Sequence, residues 1–239
     1  MKDDKICIIG SGNVATHLLK AWAGIDVVAV NAHTLDGLPD DASVYLIAVK
    51  DDAIEEVAKK IPQYNSIVAH TSGSVPMEAV ARHHRCAGVL YPLQTFSKEA
   101  EMVYSDIPVF IEATDIQSAD TLKRIAYHFT SSVYDASSAI RKTLHIAAVF
   151  GCNFVNHLYA YAADELKGAG LPFDILRPLA VRTLEKAFDS GHPERMQTGP
   201  AARGDINILK EHLRQLEGKT EAQNIYRLLS QDILLKHKQ

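Results

Sequence analysis

Cysteine is scarce. Three residues, Cys7, Cys86 and Cys152, lie far apart in a chain of 239 and follow no metal-ligand spacing. That excludes a disulfide framework and a zinc centre, leaving reduced thiols and no expected metal. Charge of one sign is also lacking: the net charge of −4 offers no basic footprint for nucleic acid and little to attract an anionic membrane. No apolar run reaches transmembrane length, and MKDDKICIIG passes from charges straight into a strand-like run without a secretory apolar region. A cytoplasmic protein is expected. What is abundant is ordinary core material, 47% hydrophobic residues, enough for one large domain or two smaller ones. Small molecules are then the default ligands.

Up to about Ala136, strand-length apolar runs alternate with helix-period segments: Ile6 to Ile9, Val27 to Val30, Val44 to Val49, Ile67 to Ala69, Ala87 to Leu90, Val109 to Ile111 and Val133 to Tyr134. This rhythm predicts an α/β fold with a mostly parallel sheet of the Rossmann type. In the first helix, NVATHLLKAWAG, Val14, Leu18 and Trp22 share a face and Gly24 supplies a stop. Beyond Ala136 strands cease, and 137–167 reads as one helix of about eight turns, broken at GLPFD. Further helices are expected near 175–188, 203–216 and 221–236. The chain therefore divides into a Rossmann-type domain, 1–136, and an all-helical domain, 137–239.

The stretch IIGSGNVA supplies the first chemistry. Gly10 and Gly12 permit a sharp bend and bare backbone, Ser11 separates them, and the N–H groups near Asn13 and Val14 can face a diphosphate. The same two glycines would also serve an ordinary strand-turn-helix corner. About 20 residues further on, where an NAD site carries an acidic residue, stand Asn31, Ala32, His33 and Thr34. The missing carboxylate favours NADP, with NAD as the alternative, and His33 and Thr34 could bond a 2′-phosphate. Alternatively, His33 is simply a solvated loop residue. Only about a dozen residues join Val30 to Ser43, too few for a full helix and another strand. The wall beside an adenosine is thus reduced.

Three more loops fall at carboxyl ends of strands, the ligand side of such sheets. AVKDDAI brings Val49 and Lys50, HTSGS brings Thr71, Ser72 and Gly73, and YPLQTF brings Tyr91, Gln94 and Thr95. Their uncharged hydrogen-bonding groups suit a carboxamide or a substrate carboxylate, although each loop can be turn chemistry alone. On the long helix Lys142, His145, Asn153 and Asn156 share an arc of roughly 80° on regular α geometry. A buried lysine there would be tuned toward proton transfer, making Lys142 the first candidate catalytic residue, His145 the second, and Asn153 a substrate holder. The competing reading has Lys142 reaching solvent and His145 satisfied in the core. In QTGPAARGD, Arg203 could pair with Asp205 or bind a substrate carboxylate.

Taken in order, IIGSGNVA, AVKDDAI, HTSGS, YPLQTF, RKTLHIAAVFGCNFVNHLY and TGPAARGD resemble a bacterial family of two-domain proteins, provisionally labelled NADP oxidoreductases, with a C-terminal helical domain of unknown function. More distantly the chain is similar to pyrroline-5-carboxylate reductase, ketopantoate reductase, and prephenate, 6-phosphogluconate and hydroxyisobutyrate dehydrogenases. The resemblance implies hydride transfer to or from a small carboxylate-bearing carbonyl or imine compound in the cleft between domains. It assigns to Lys142 the role of a lysine that assists that transfer in several relatives, and it implies a homodimer. Tyr91 and Ala32-His33-Thr34 depart from the histidine and the serine-arginine-threonine run common in the family. A dinucleotide-binding sensor without turnover is the alternative function.

Overall fold

The structure is a computed structural model that describes residues 4–237, and the chain forms two compact units that part between Phe154 and Val155. The first contains strands β1 (Ile6–Ile9), β2 (Val27–Val30), β3 (Val44–Ile47), β4 (Ile67–His70), β5 (Ala87–Pro92), β6 (Val109–Ala113) and β7 (Val133–Asp135). They make one sheet in the order β2-β1-β3-β4-β5-β6-β7. Its helices are α1 (Asn13–Ala21), α2 (Ile54–Lys60), α3 (Glu78–Ala81), α4 (Ile116–Ala126) and α5 (Ser138–Ala148). The mostly parallel Rossmann-type sheet expected from the strand and helix rhythm is present.

Continuous apolar strands are explained by cover on both faces. Ile6 and Ile8 of β1 join Leu18 of α1, Trp22 at its C-cap, and Leu122 and Ile125 of α4 in one core, while Cys7 and Ile9 join Ile54 and Val57 of α2 and Val80 of α3 in the other. All four β1 residues are fully buried. The indole of Trp22 donates to the Ile125 carbonyl at 2.8 Å, tying the ends of α1 and α4.

One pair runs the other way: β5 and β6 are antiparallel. Between them the chain makes only the short 3₁₀ turn Tyr104–Asp106, without the crossover helix that a parallel return requires. From β2 to β3 the chain likewise has no helix or additional strand, so β2 remains an edge strand. Because β2 and β3 lie on opposite sides of β1, the strand order reverses there, and a crevice opens at the strands' carboxyl ends.

After α5 the helix widens into a π-helical segment, Val149–Phe154, before α6 (Val155–Gly168) begins. The second unit continues with α7 (Arg177–Ser190), α8 (Pro200–Arg203), α9 (Ile206–Gln215) and α10 (Thr220–His237). Pro178 and Pro200 lie in first helical turns, and Gly191 and Gly204 close α7 and α8 with φ of 62° and 72°. Lys219 reaches Glu165 at 2.8 Å within this unit.

The units part later than the boundary at Ala136 read from the loss of strands. The side chain of Arg141 holds α5 to the sheet, so α5 belongs to the first unit.

Candidate functional site

At the end of β1 the backbone of Gly10 has φ of +135°, and a Cβ there would lie 2.2 Å from the Ala48 carbonyl oxygen. Only glycine allows β1 and β3 to end so close together. Gly12, the N-cap of α1, differs: a Cβ would meet nothing within 4 Å, and no side chain caps the helix. Its bare surface therefore faces open space. The first amides of α1 have no carbonyl partners within the helix, leaving their partial positive charge for an anion. This bend opens into a cleft of about 590 Å³ lined by Gly10 to Val14, Asn31 to His33, Ala48 to Lys50, Ala53, Glu56, Val57, Lys60 and Thr71. A bare-backbone anion cradle within a cleft of this size suits a dinucleotide.

Several expected cleft residues are thus together: Gly10, Ser11, Gly12, Asn13, Val14, His33, Val49, Lys50 and Thr71. Thr34 is not among the lining residues; its hydroxyl accepts the Asp36 N–H at 3.3 Å. The Ser72 hydroxyl is likewise occupied, accepting from the N–H groups of Ser74 and Val75. The side-chain amide of Asn13 donates to the Phe96 carbonyl at 2.8 Å, which engages one of its two N–H donors. Gln94 uses its carbonyl on the Thr95 N–H.

The second group of polar residues adjoins Thr71. A Cβ on Gly73 would lie 2.6 Å from the Tyr91 ring, and the Tyr91 hydroxyl stands 3.4 Å from His145 Nδ1 on α5. Burial raises the Tyr91 phenol's pKa, while the nearby Arg141 guanidinium opposes the rise. Lys142, three residues before His145, is exposed. The burial expected for its amine is found at Arg141 instead. Asn153 also falls out of line, because it lies in the π-helical segment, where the wider turn offsets a regular α arc by about one residue.

Arg141 was hidden by that periodicity. Fully buried, it donates to both the Ser72 carbonyl at 2.7 Å and the Val75 carbonyl at 3.1 Å, to Glu112 at 2.7 and 3.3 Å, and to the Ser138 hydroxyl at 3.0 Å. The sequence signal was Glu112 itself: a carboxylate within the apolar run VFIEA requires a partner. Beside this cluster His70 is fully buried, and burial, with help from Arg141, lowers its pKa to about 4. Neutral His70 accepts the Ser72 N–H at 3.1 Å through Nδ1.

Arg203 lies in the second unit, exposed and paired with Asp205 at 2.9 Å. No group of three or more residues able to hold a metal occurs among the described residues, and none of the described helices is long and apolar enough to cross a membrane.

Sheet order, glycine bend and crevice define a Rossmann-type α/β protein with an added helical unit. Residues 107–233 match the model of a domain of unknown function, DUF2520, and the chain belongs to that family. It is 38% identical to a protein from Bacteroides fragilis provisionally named an NADP oxidoreductase, with a TM-score of 0.89 and coverage of 99% of each chain. An imine reductase from Myxococcus stipitatus solved with NADP+ shares the fold at 11% identity, a TM-score of 0.61 and coverage of 96% of this chain and 91% of that one. So does 1-pyrroline-5-carboxylate reductase from Streptococcus pyogenes, at 14% identity, a TM-score of 0.58 and coverage of 96% and 98%. No curated protein matches the sequence at a comparable level.

Proposed function

We propose that the protein is a nicotinamide-dinucleotide-dependent oxidoreductase acting on a small carbonyl or imine compound, with NADPH the preferred dinucleotide. The observation that carries this reading is the uncapped bend at Gly12, opening into a cleft of about 590 Å³. The NADP and imine-reductase names of its structural relatives agree with it. A bound nicotinamide would supply hydride transfer to or from substrate carbon. The amides of Gly12, Asn13 and Val14 bind the diphosphate, Val49 and Lys50 flank it, and Thr71 orients the carboxamide. A heteroatom that receives electrons as hydride arrives must also receive a proton. Lys142 and His145 present that proton from α5, and Tyr91, within reach of His145, hydrogen-bonds the substrate heteroatom. Gln94, Thr95 and Asn153 are assigned to substrate binding.

Calorimetric titration tests the central claim. Micromolar binding of NADPH is expected, and absence of binding by both NADPH and NADH overturns the reading. With a turned-over imine or keto acid in hand, Lys142→Met is expected to lower kcat by at least tenfold while changing dinucleotide affinity little; unchanged kcat removes Lys142 from the chemistry. A sensor without turnover is the second reading, favoured by the solvent exposure of Lys142. It predicts tight NADPH binding without oxidation across a panel of such substrates.

The apolar side chains exposed on α7, Val181, Leu184 and Phe188, recur at three- and four-residue spacing on one face. A second copy of the chain is assigned to cover them, giving a homodimer.

A further inference from the structure

We infer that Lys60, at the end of α2, is the residue that recognises the 2′-phosphate of NADPH, holding it within the cleft that His33 also lines. This rests on the dinucleotide reading above and adds the residue that would set its cofactor preference. The wall after β2 offers a phosphate little: Asn31 turns its carbonyl back to the His33 N–H at 2.8 Å, and no carboxylate or arginine occupies 31–34. Across the cleft, α2 contributes Val57, Glu56 and Lys60. Val57 gives an apolar surface for an adenine ring, Glu56 lies in the first turn of the helix and Lys60 is its last residue.

Charge balance identifies the cation. The ionisable residues lining the cleft are His33, Lys50, Glu56 and Lys60, so two lysines face one carboxylate. That carboxylate is not free to accept a ribose hydroxyl without competition, because Lys60 Nζ donates to it at 2.7 Å. Lys60 and, less strongly, His33 also hold Glu56 in its ionised form. An ammonium has three donors, and one bond to Glu56 leaves two for phosphate oxygens. Glu56 then positions the cation one helical turn away, and His33 lines the same cleft. In the sequence Glu56 and Lys60 read as an ordinary surface pair. The connection between β2 and β3 carries no helix, and its Ala32, Leu35 and Leu38 pack with Ile54 and Val57 of α2 in one core.

The test measures NADPH and NADH affinities side by side for the full chain and for Lys60→Met and Lys60→Arg. The unmodified protein is expected to favour NADPH by at least tenfold. Lys60→Met is expected to weaken NADPH by roughly tenfold to a hundredfold, the range of a lost charge-assisted bond, and NADH by less than twofold. Lys60→Arg retains most of the preference, and 2′,5′-ADP loses affinity for the Met variant as NADPH does. Unchanged circular dichroism and unfolding midpoint establish that the variants fold. Equal weakening of both dinucleotides, or a preference unchanged in the folded Met variant, overturns the assignment while leaving the dinucleotide reading intact. Failure of the unmodified protein to bind either dinucleotide overturns that underlying reading instead.

Discussion

Gly10 and Gly12 stand two residues apart and fail differently when changed. Alanine at Gly10 combines a forbidden φ with a Cβ driven into the Ala48 carbonyl, so Gly10→Ala is expected to destabilise the first unit by about 2 kcal/mol or more in urea unfolding. At Gly12 the backbone is compatible with any residue, with φ of −76°. Gly12→Glu should therefore leave stability within about 0.5 kcal/mol and abolish NADPH binding by filling the cradle and repelling the diphosphate. Loss of both properties in the Gly12 variant would remove the distinction. His70 provides a third test. Its folded pKa of about 4 lies below the ordinary 6.5, so between these values the unfolded chain binds more protons and stability rises with pH. Acidification from pH 7 to pH 5 should cost about 2 kcal/mol from this group. His70→Asn should flatten that part of the stability profile; an unchanged slope would assign it to other groups.

At the scale of elements, α5 depends on one buried ion pair. Arg141→Met leaves Glu112 without its cation in a largely buried setting and is expected to cost about 3 to 5 kcal/mol, read from urea midpoints. Arg141→Lys should recover only part, since an ammonium cannot reproduce the fork of contacts to Ser72, Val75 and Glu112. If Arg141→Met is as stable as the parent, the clamp does not hold α5. Most elements of the first unit were legible because doubly covered strands give compact apolar runs with turn residues between them. The reversed direction of β6 was not, since an apolar run carries no sign of direction; only the helix-poor stretch before it gives a clue. Periodicity also could not choose between neighbouring Arg141 and Lys142, because one residue of helical phase decides which cation enters the core. The wide turn at Val149–Phe154 then shifted the later part of the polar stripe.

For the molecule as a whole, the glycine bend and the loops at the strand ends were readable as one ligand edge, since each occupies a known position in an α/β sheet. The α2 wall was not readable, because Glu56 and Lys60 have the four-residue spacing of an ordinary surface pair and only the fold brings them to the lining of the cleft. NADPH at a hundredfold excess over its Kd should stabilise the folded protein by about 2.7 kcal/mol. Scanning calorimetry should show an upward shift in the transition that melts the cleft; no shift in any transition would contradict binding. The Arg141 clamp has a further consequence for 71–77, which is a loop in shape but not in bonding. The amides of Thr71, Ser72, Ser74, Val75 and Met77 all donate within the protein, and the guanidinium locks two of the intervening carbonyls. Deuterium uptake there should be as slow as in the adjoining strands, so that this edge of the cleft meets its ligand already set.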